Sequence, residues 1–183
     1  MVETKRQIIH ILIGLIAIAF LFLFGRLATI IAIFLTILFG LIIINQLYLG
    51  RKMRIIEWFI ENFERKNVHF PGWGSACYAT GVLLLCCFLT DLNAIAASIL
   101  VIALGDGLAT VIGQIGRFRI PYNKNKKIEG SVALFIGSLA GYVFIGPLVF
   151  PAAAIAMIVE SLPIEIDDNI TLPIALIIFF MVI

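Results

Sequence analysis

The chain has 183 residues, of which 62% are hydrophobic and only 13% are charged, and its formal net charge is +2. Ordinary soluble domains contain roughly 45–50% apolar and about 25% charged residues, so this composition and a mean hydropathy of +1.14 exclude a soluble fold. They predict one integral membrane domain over residues 1–183, and the small net charge gives no reason to expect a nucleic-acid partner.

Long apolar runs predict an all-α bundle of about seven membrane-spanning helices, because each span needs about 20 residues to cross ~30 Å of hydrocarbon. The first run is interpreted as a retained helix and not a signal peptide, since it is long and leads into Arg26 without a small-residue cleavage pattern. The predicted spans are 8–24, 27–49, 75–89, 92–115, 132–145, 148–162 and 170–183. The fifth and sixth can also form one re-entrant unit, broken at Gly146 and Pro147.

The basic residues predict the orientation of this bundle. With seven spans, twelve of the 13 Lys and Arg residues fall on one side, and Arg26 alone falls on the other. Cytoplasmic loops retain Lys and Arg, so the N-terminus is predicted to be cytoplasmic in a multi-pass protein of the cell membrane.

An amphipathic segment follows the second span, at residues 51–66. Its apolar residues (Ile55, Ile56, Phe59, Ile60, Phe63) share one helical arc, and charged residues (Glu57, Glu61, Glu64, Arg65) share the other. This pattern predicts an interfacial helix, either a surface anchor or a guide for a lipid chain.

Asp106 stands inside the fourth span, in a Gly-Asp-Gly sequence that is expected to interrupt the helix. A carboxylate there costs at least ~2.5–3.5 kcal/mol, so a functional role is favoured. Close helix packing through small residues accounts for Gly113 and Gly116, but it does not account for an aspartate.

Two further polar stretches lie on the same predicted side. The loop 116–131 carries five cations and then Glu129, Gly130 and Ser131 at the start of the next span, which suits either a helix cap or a phosphate site. The stretch 160–169 has four carboxylates and no cation, which suits a divalent ion such as Mg²⁺. Glu160 and Asp168 are favoured there as ligands, and the other two carboxylates as parts of a solvated turn.

Several short motifs of the chain resemble those of the CTP-dependent polyprenol kinases, the group that contains dolichol kinase and phytol kinase. This group is in turn similar to the membrane cytidylyltransferases. The matching pieces are Glu3-x-x-Arg6-x-x-x-His10, Gly-Asp-Gly-x-Ala-x-x-x-Gly over 105–113 with Gly116, Lys126-Lys-Ile-Glu-Gly-Ser131, Glu160-Ser-Leu, and Asp168-Asn-x-x-x-Pro173. One departure is Lys127, where related sequences often place Ser or Thr.

The resemblance implies a kinase that phosphorylates a membrane prenyl alcohol of the dolichol, phytol or geranylgeraniol class at the cytoplasmic face. It implies catalytic roles for Asp106, Glu129, Glu160 and His10, and nucleotide-binding roles for Arg6 and Asn169. Apart from the resemblance, the residue types themselves suit phosphoryl transfer, because this reaction mainly requires positioning of the substrates and neutralisation of charge. Lys126 and Lys127, with the amides of Gly130 and Ser131, are expected to hold the triphosphate of CTP. Asp106, Glu160 and Asp168 are expected to hold Mg²⁺ or Mn²⁺.

Two other functions stay open at this stage. Cytidylyl transfer, which makes a CDP-linked lipid, would use the same cations and carboxylates. An ion-coupled transporter is a remote alternative, because intramembrane carboxylates can mark ion pathways. A homo-oligomer is open as well. No GxxxxGK[ST] P-loop occurs in the sequence, so a phosphate site would have to use the loop 116–131 and its flanking helix ends.

Overall fold

The computed structural model describes residues 2–63 and 70–183, and this part of the chain is almost entirely helical, as predicted. The α-helices are α1 (Val2–Tyr48), α2 (Arg54–Phe63), α3 (Trp73–Phe88), α4 (Leu92–Leu100), α5 (Gly107–Ile115), α6 (Ile128–Ser138), α7 (Tyr142–Ile145), α8 (Val149–Ser161) and α9 (Asp168–Val182). A π-helix (Val101–Asp106) joins α4 to α5, and 3₁₀ turns (Leu139–Gly141, Gly146–Leu148) flank α7. The strands are β1 (Arg119–Ile120) and β2 (Asn123–Lys127). The end of the predicted interfacial segment, with Glu64 and Arg65, lies outside the described residues.

Within residues 2–63 and 70–183, three helical stretches are long and apolar enough to cross a membrane: Glu3–Tyr48, Leu92–Ile115 and Ile128–Ser161. Two shorter apolar helices, Trp73–Phe88 and Asp168–Val182, accompany them. These stretches support an all-α membrane protein. The count of seven crossings and the orientation stay predictions.

The first stretch reverses direction at Gly25. This residue has φ 79° and ψ 172°, a conformation that glycine adopts at little cost. A Cβ on Gly74 would lie 3.7 Å from the guanidinium of Arg6, and one on Gly72 would lie 3.5 Å from Ile44. A straight helix of 47 residues would be about 70 Å long, so its two ends could not both reach the start of α3. The chain therefore forms a helical hairpin at the predicted break.

The third long stretch is interrupted where Gly146 and Pro147 were predicted to break it. Gly146 adopts φ 53° after α7, and Pro147 lies in the 3₁₀ turn before α8. Helix α6 begins at Ile128, before the predicted span 132–145, in agreement with the prediction that Glu129, Gly130 and Ser131 stand at a helix start. Glu129, Gly130 and Ser131 therefore lie in its first turn.

The core is built around the fourth predicted span, which packs against α1, α6 and α9. Leu21, Leu85, Ile99, Leu134 and Leu172 are fully buried in it. Close backbone approach holds α9 against α3, since a Cβ on Gly81 would collide with the carbonyl oxygen of Asn169. Pro173 has no N–H to donate to that oxygen four residues back, so the carbonyl is available to face α3. This packing fixes the start of α9.

Helix α2 confirms that the amphipathic segment is helical. It covers an apolar groove of about 290 Å³ between the second half of α1 and the first turns of α3. Ile56, Phe59 and Ile60 line this groove, whereas Ile55 is 81% exposed. The predicted apolar arc is therefore divided between the groove and the outer surface.

Candidate active site

A β-hairpin was not predicted, and it forms one wall of the site. β1 and β2 pair antiparallel, and the backbone N–H of Ile128 donates to the Phe118 carbonyl oxygen at 2.9 Å. The amide group of Asn123 donates to the carbonyl oxygens of Ser161 and Leu162 at 3.1 and 3.0 Å. The hairpin is therefore fastened to the end of α8, which sets the position of the following lysines.

Lys126 is the centre of the charged cluster. Its ammonium lies 2.8 Å from Glu160 Oε1 and 2.6 Å from Asp168 Oδ2, so one cation joins the end of α8 to the start of α9. Burial disfavours the ammonium, but the two carboxylates outweigh this effect and raise the pKa of Lys126 above its usual value. Lys126 is consequently cationic at any physiological pH.

Glu160 is the most enclosed member of this cluster, with 4% of its surface exposed. Its second oxygen, Oε2, accepts a hydrogen bond from the Ser131 hydroxyl at 2.8 Å. Both carboxylate oxygens thus have a donor, and the first turn of α6 is tied to α8. The two residues were predicted as parts of one site, and the structure brings them together.

Asp106 lies behind this cluster at the end of the π-helix and is 8% exposed. Its side chain accepts no hydrogen bond from the first turn of α5. Asp168, Lys126 and Glu160 are all close enough to act on it electrostatically. The predicted interruption at Gly-Asp-Gly is thus a change of helix type and not a break. Single-turn π-helical segments occur frequently at functional sites.

A cleft of about 350 Å³ opens beside the cluster, between α5 and α6. Lys126, Glu160 and Thr110 contribute polar groups to its wall, and Gly113 and Gly130 contribute almost no side chain. A Cβ on Gly130 would lie 3.0 Å from the Ala109 carbonyl oxygen. The small residues therefore bring the two helices close together, and the first turn of α6, which favours anions, lies at the cleft.

Two predicted site residues have other partners in the structure. Glu129 accepts hydrogen bonds from the backbone N–H groups of Arg117 at 2.6 Å and Phe118 at 3.1 Å. The Lys127 ammonium donates to the Gly116 carbonyl oxygen at 2.7 Å. Both side chains fasten the loop to the end of α5 and do not pair with the cluster around Lys126, and Lys127 also lines the cleft.

The predicted residues of α1 and α9 lie on the inner side of the site. Arg6 pairs with Glu3, and its charge acts on Asp106. The ring of His10 lies against that of Tyr78, with 4.6 Å between centroids. The Asn169 side chain donates to Asp167 Oδ1 at 2.8 Å, so it has a local partner at the start of α9. Sequence reasoning missed Tyr78, because one aromatic residue in an apolar run gives no signal.

Two carboxylates of the cluster, Glu160 and Asp168, are suitable ligands for a divalent metal ion. Mg²⁺ usually takes one or two protein carboxylates together with substrate phosphates, and Glu160 and Asp168 already share one cation, Lys126. Among the described residues, no group of three or more His, Cys, Asp or Glu side chains is arranged to hold a metal ion. The predicted three-ligand set with Asp106 is therefore not preformed.

The fold and the site together define an all-α protein with a charged, phosphate-compatible cleft at one end of an apolar bundle. The chain is 35% identical to an uncharacterized protein of Methanocaldococcus jannaschii, over 93% of this chain and 88% of the relative. It belongs to the same family as that archaeal protein. No family model matches the chain. No solved structure matches it either.

Two plant relatives carry functional names. The chain is 30% identical to a probable phytol kinase 3, chloroplastic, of Glycine max, over 93% of its own length. It is also 30% identical to a farnesol kinase, chloroplastic, of Arabidopsis thaliana, over 91% of its length. The chain covers 60% and 61% of these relatives, about three fifths of each. These similarities support a polyprenol kinase-like family.

Proposed function

We propose that this protein is a kinase that transfers the γ-phosphoryl group of CTP to a prenyl alcohol at the membrane surface. The observation that carries the proposal is Lys126 held between Glu160 and Asp168 at the mouth of a cleft with small-residue walls. The names of the plant relatives support a prenyl alcohol as the acceptor.

Charge neutralisation is the main requirement of phosphoryl transfer. The triphosphate would lie in the cleft, beside Lys126 and the first turn of α6. Glu160 and Asp168 would hold Mg²⁺, which would neutralise charge on the β- and γ-phosphates when it is bound. The cations and the helix end of this chain orient the nucleotide, and the fastened hairpin keeps Lys126 in place.

Asp106 is the carboxylate best placed to accept the proton of the alcohol. It is buried at the end of the π-helix and accepts no hydrogen bond from the first turn of α5, whereas Glu160 and Asp168 are both paired with Lys126. In the transfer, the alcohol O–H bond breaks and its proton goes to Asp106. The alcohol oxygen forms a bond to the γ-phosphorus, the bond from that phosphorus to the β-phosphate oxygen breaks, and CDP leaves.

The prenyl chain of the acceptor would occupy the apolar groove under α2. Ser75, Ala76 and Ala79 of α3 line the groove, while Gly74 and Tyr78 of the same helix face Arg6 and His10. One helix thus borders both the groove and the inner side of the site. Replacement of Ala79 by Phe should raise KM for a long prenol and leave KM for CTP unchanged, and an unchanged prenol KM would exclude this groove.

Labelled nucleotide distinguishes the kinase from cytidylyl transfer. The protein in lipid nanodiscs is incubated with Mg²⁺, a prenol or a phosphorylated lipid, and CTP labelled at either the α- or the γ-phosphate. The proposal predicts γ-label on the prenol. Transfer of α-label to lipid with γ-label in pyrophosphate would contradict it. Parallel reactions with ATP, GTP and UTP test the preference for CTP.

The site is proposed to face the cytoplasm of a multi-pass cell-membrane protein. Cysteine scanning tests this in a Cys87→Ser background, since the other two cysteines are buried. A cysteine at the exposed Asn125 should react with an impermeant reagent from the cytoplasmic side only. One at the exposed Asn93, at the opposite end of the bundle, is the matched control and should react from the outside. The reverse pattern would overturn the orientation.

A further inference from the structure

Tyr78 is a buried polar residue that the charged cluster does not use. Only 4% of its surface is exposed, and its hydroxyl has no hydrogen-bond partner among the described residues. Buried hydroxyl groups nearly always have a partner, since an unpaired one costs free energy. A phenylalanine would fill the same space without this cost, so the hydroxyl calls for a separate explanation.

The hydroxyl of Tyr78 lies between α1 and the π-helix that carries Asp106. A Cβ on Gly14 would lie 2.6 Å from Tyr78 Oη and 2.7 Å from the Cβ of Ala103. Ala103 precedes Asp106 by three residues, which is a little less than one helical turn. Asp106 is close enough for its charge to act on Tyr78. The hydroxyl therefore lies near the residue of the π-helix that stands about one turn before Asp106.

Polar groups continue from Tyr78 toward the end of the bundle. The His10 ring packs against the Tyr78 ring, and Arg6 is one turn further along the same face of α1. Arg6 Nε is also buried without a partner among the described residues. These polar groups are largely buried, and the charge of Arg6 acts on Asp106.

We infer that Tyr78 and Asp106 form the subsite that receives the hydroxyl group of the acceptor alcohol. Tyr78 Oη donates a hydrogen bond to the alcohol oxygen, and the alcohol donates its own proton to Asp106. The phenol group of tyrosine can both donate and accept a hydrogen bond, so it can pair with the hydroxyl group of an alcohol. The inference rests on the proposed function, because it assigns the position of the acceptor in that reaction.

The Tyr78→Phe variant tests the inference, and Tyr142→Phe is its matched control. Tyr142 is 52% exposed on the surface of the bundle, so it undergoes the same chemical change without access to the site. Both variants are assayed in nanodiscs for steady-state transfer from CTP to a prenol. They are also assayed for thermal stabilisation by the prenol and by a hydrocarbon analogue that lacks the hydroxyl.

For Tyr78→Phe, kcat/KM for the prenol should fall roughly tenfold or more, the loss expected for one hydrogen bond to the substrate. KM for CTP should not change, and the unfolding temperature should stay the same or rise. Stabilisation by the prenol should weaken, while that by the hydrocarbon should not. Gly14→Ala, whose Cβ would displace the Tyr78 hydroxyl, should reproduce the loss for the prenol.

The outcomes separate this inference from the proposed function. Normal prenol kinetics and normal prenol stabilisation in Tyr78→Phe would overturn the inference and leave the kinase intact. Prenol stabilisation that depends on Tyr78, in a protein that transfers no label, would support the subsite and overturn the kinase. Absence of both prenol stabilisation and transfer in the wild type would overturn both.

Discussion

Replacement of Lys126 by methionine should destabilise the protein by leaving two carboxylates without their shared cation. Lys126 donates at 2.8 Å to Glu160 and at 2.6 Å to Asp168. Hydrogen bonds to charged groups contribute about 1.5–3 kcal/mol each, and removing one partner of a buried ion pair costs about 3–5 kcal/mol. The Lys126 side chain is 26% exposed and that of Asp168 is 31% exposed, so solvent screening reduces the loss to about 2–4 kcal/mol.

Divalent metal should compensate for the lost ammonium if Glu160 and Asp168 are metal ligands. With Lys126 absent, Mg²⁺ at ten times its dissociation constant would add about 1.4 kcal/mol to the free energy of unfolding. The metal should stabilise wild type less, because the ammonium competes for the same oxygens. Lys124→Met, on the exposed face of the same strand, is the matched control and should behave like wild type.

The assay is unfolding in detergent at constant protein and lipid concentration, with EDTA or with a Mg²⁺ titration. In EDTA the Lys126→Met variant should unfold roughly 4–16 °C below wild type. Two results would refute the reasoning. One is a Lys126→Met variant as stable as Lys124→Met in EDTA, and the other is equal stabilisation of all three proteins by Mg²⁺.

Three further predictions concern the neighbouring groups. Asp106→Asn should lower the rate of phosphoryl transfer by roughly a thousandfold or more. Its unfolding temperature should stay the same or rise, because a buried carboxyl group is costly. Retained transfer of the γ-label would refute the role of Asp106. Gly130→Ala should reduce the free energy of unfolding by about 1–3 kcal/mol and weaken CTP binding, because its Cβ meets the carbonyl oxygen of Ala109. Gly113→Ala is the control and should have milder effects in both assays, since its Cβ would lie 3.8 Å from the Cα of Gly130. Removal of divalent metal with EDTA should weaken CTP binding as well as stop transfer, and calorimetric titration of CTP into metal-free protein checks this.

The sequence identified the helical elements well, because apolar length is a strong signal in a membrane protein. It also located the break at Gly25 and Arg26, where a glycine and a lone cation interrupt the first apolar run. Lys126, Glu160 and Asp168 were predicted to converge from their shared predicted side, and the structure brings them within hydrogen-bonding distance. The placement of the charged residues was therefore informative about the site, while the orientation that it predicts stays a prediction.

Other features depend on contacts between elements that are distant in sequence. The strand Asn123–Lys127 is polar throughout and has no alternating pattern, so nothing local predicts a hairpin. Glu129 was predicted to be catalytic and Lys127 to hold phosphate, and in the structure the side chains of both bind the backbone of the loop. The role inferred for Tyr78 depends on the packing of α1 against α3, and a sequence so rich in apolar residues gives no sign of that contact.

The glycines on either side of Asp106 explain how a carboxyl group can be enclosed in an apolar bundle. A Cβ on Gly105 would lie 2.6 Å from the Ser138 hydroxyl of α6, and one on Gly107 would lie 3.6 Å from Gln7 of α1. Two helices thus approach the π-helix on both sides of Asp106 and separate its side chain from lipid. The charges of Lys126, Glu160 and Asp168 act on the enclosed carboxyl group, and its own charge acts on Tyr78. The two glycines of Gly-Asp-Gly therefore serve both the packing and the chemistry of the site. Because residues 105 and 107 have no side chains, the neighbouring helices come close enough to enclose Asp106.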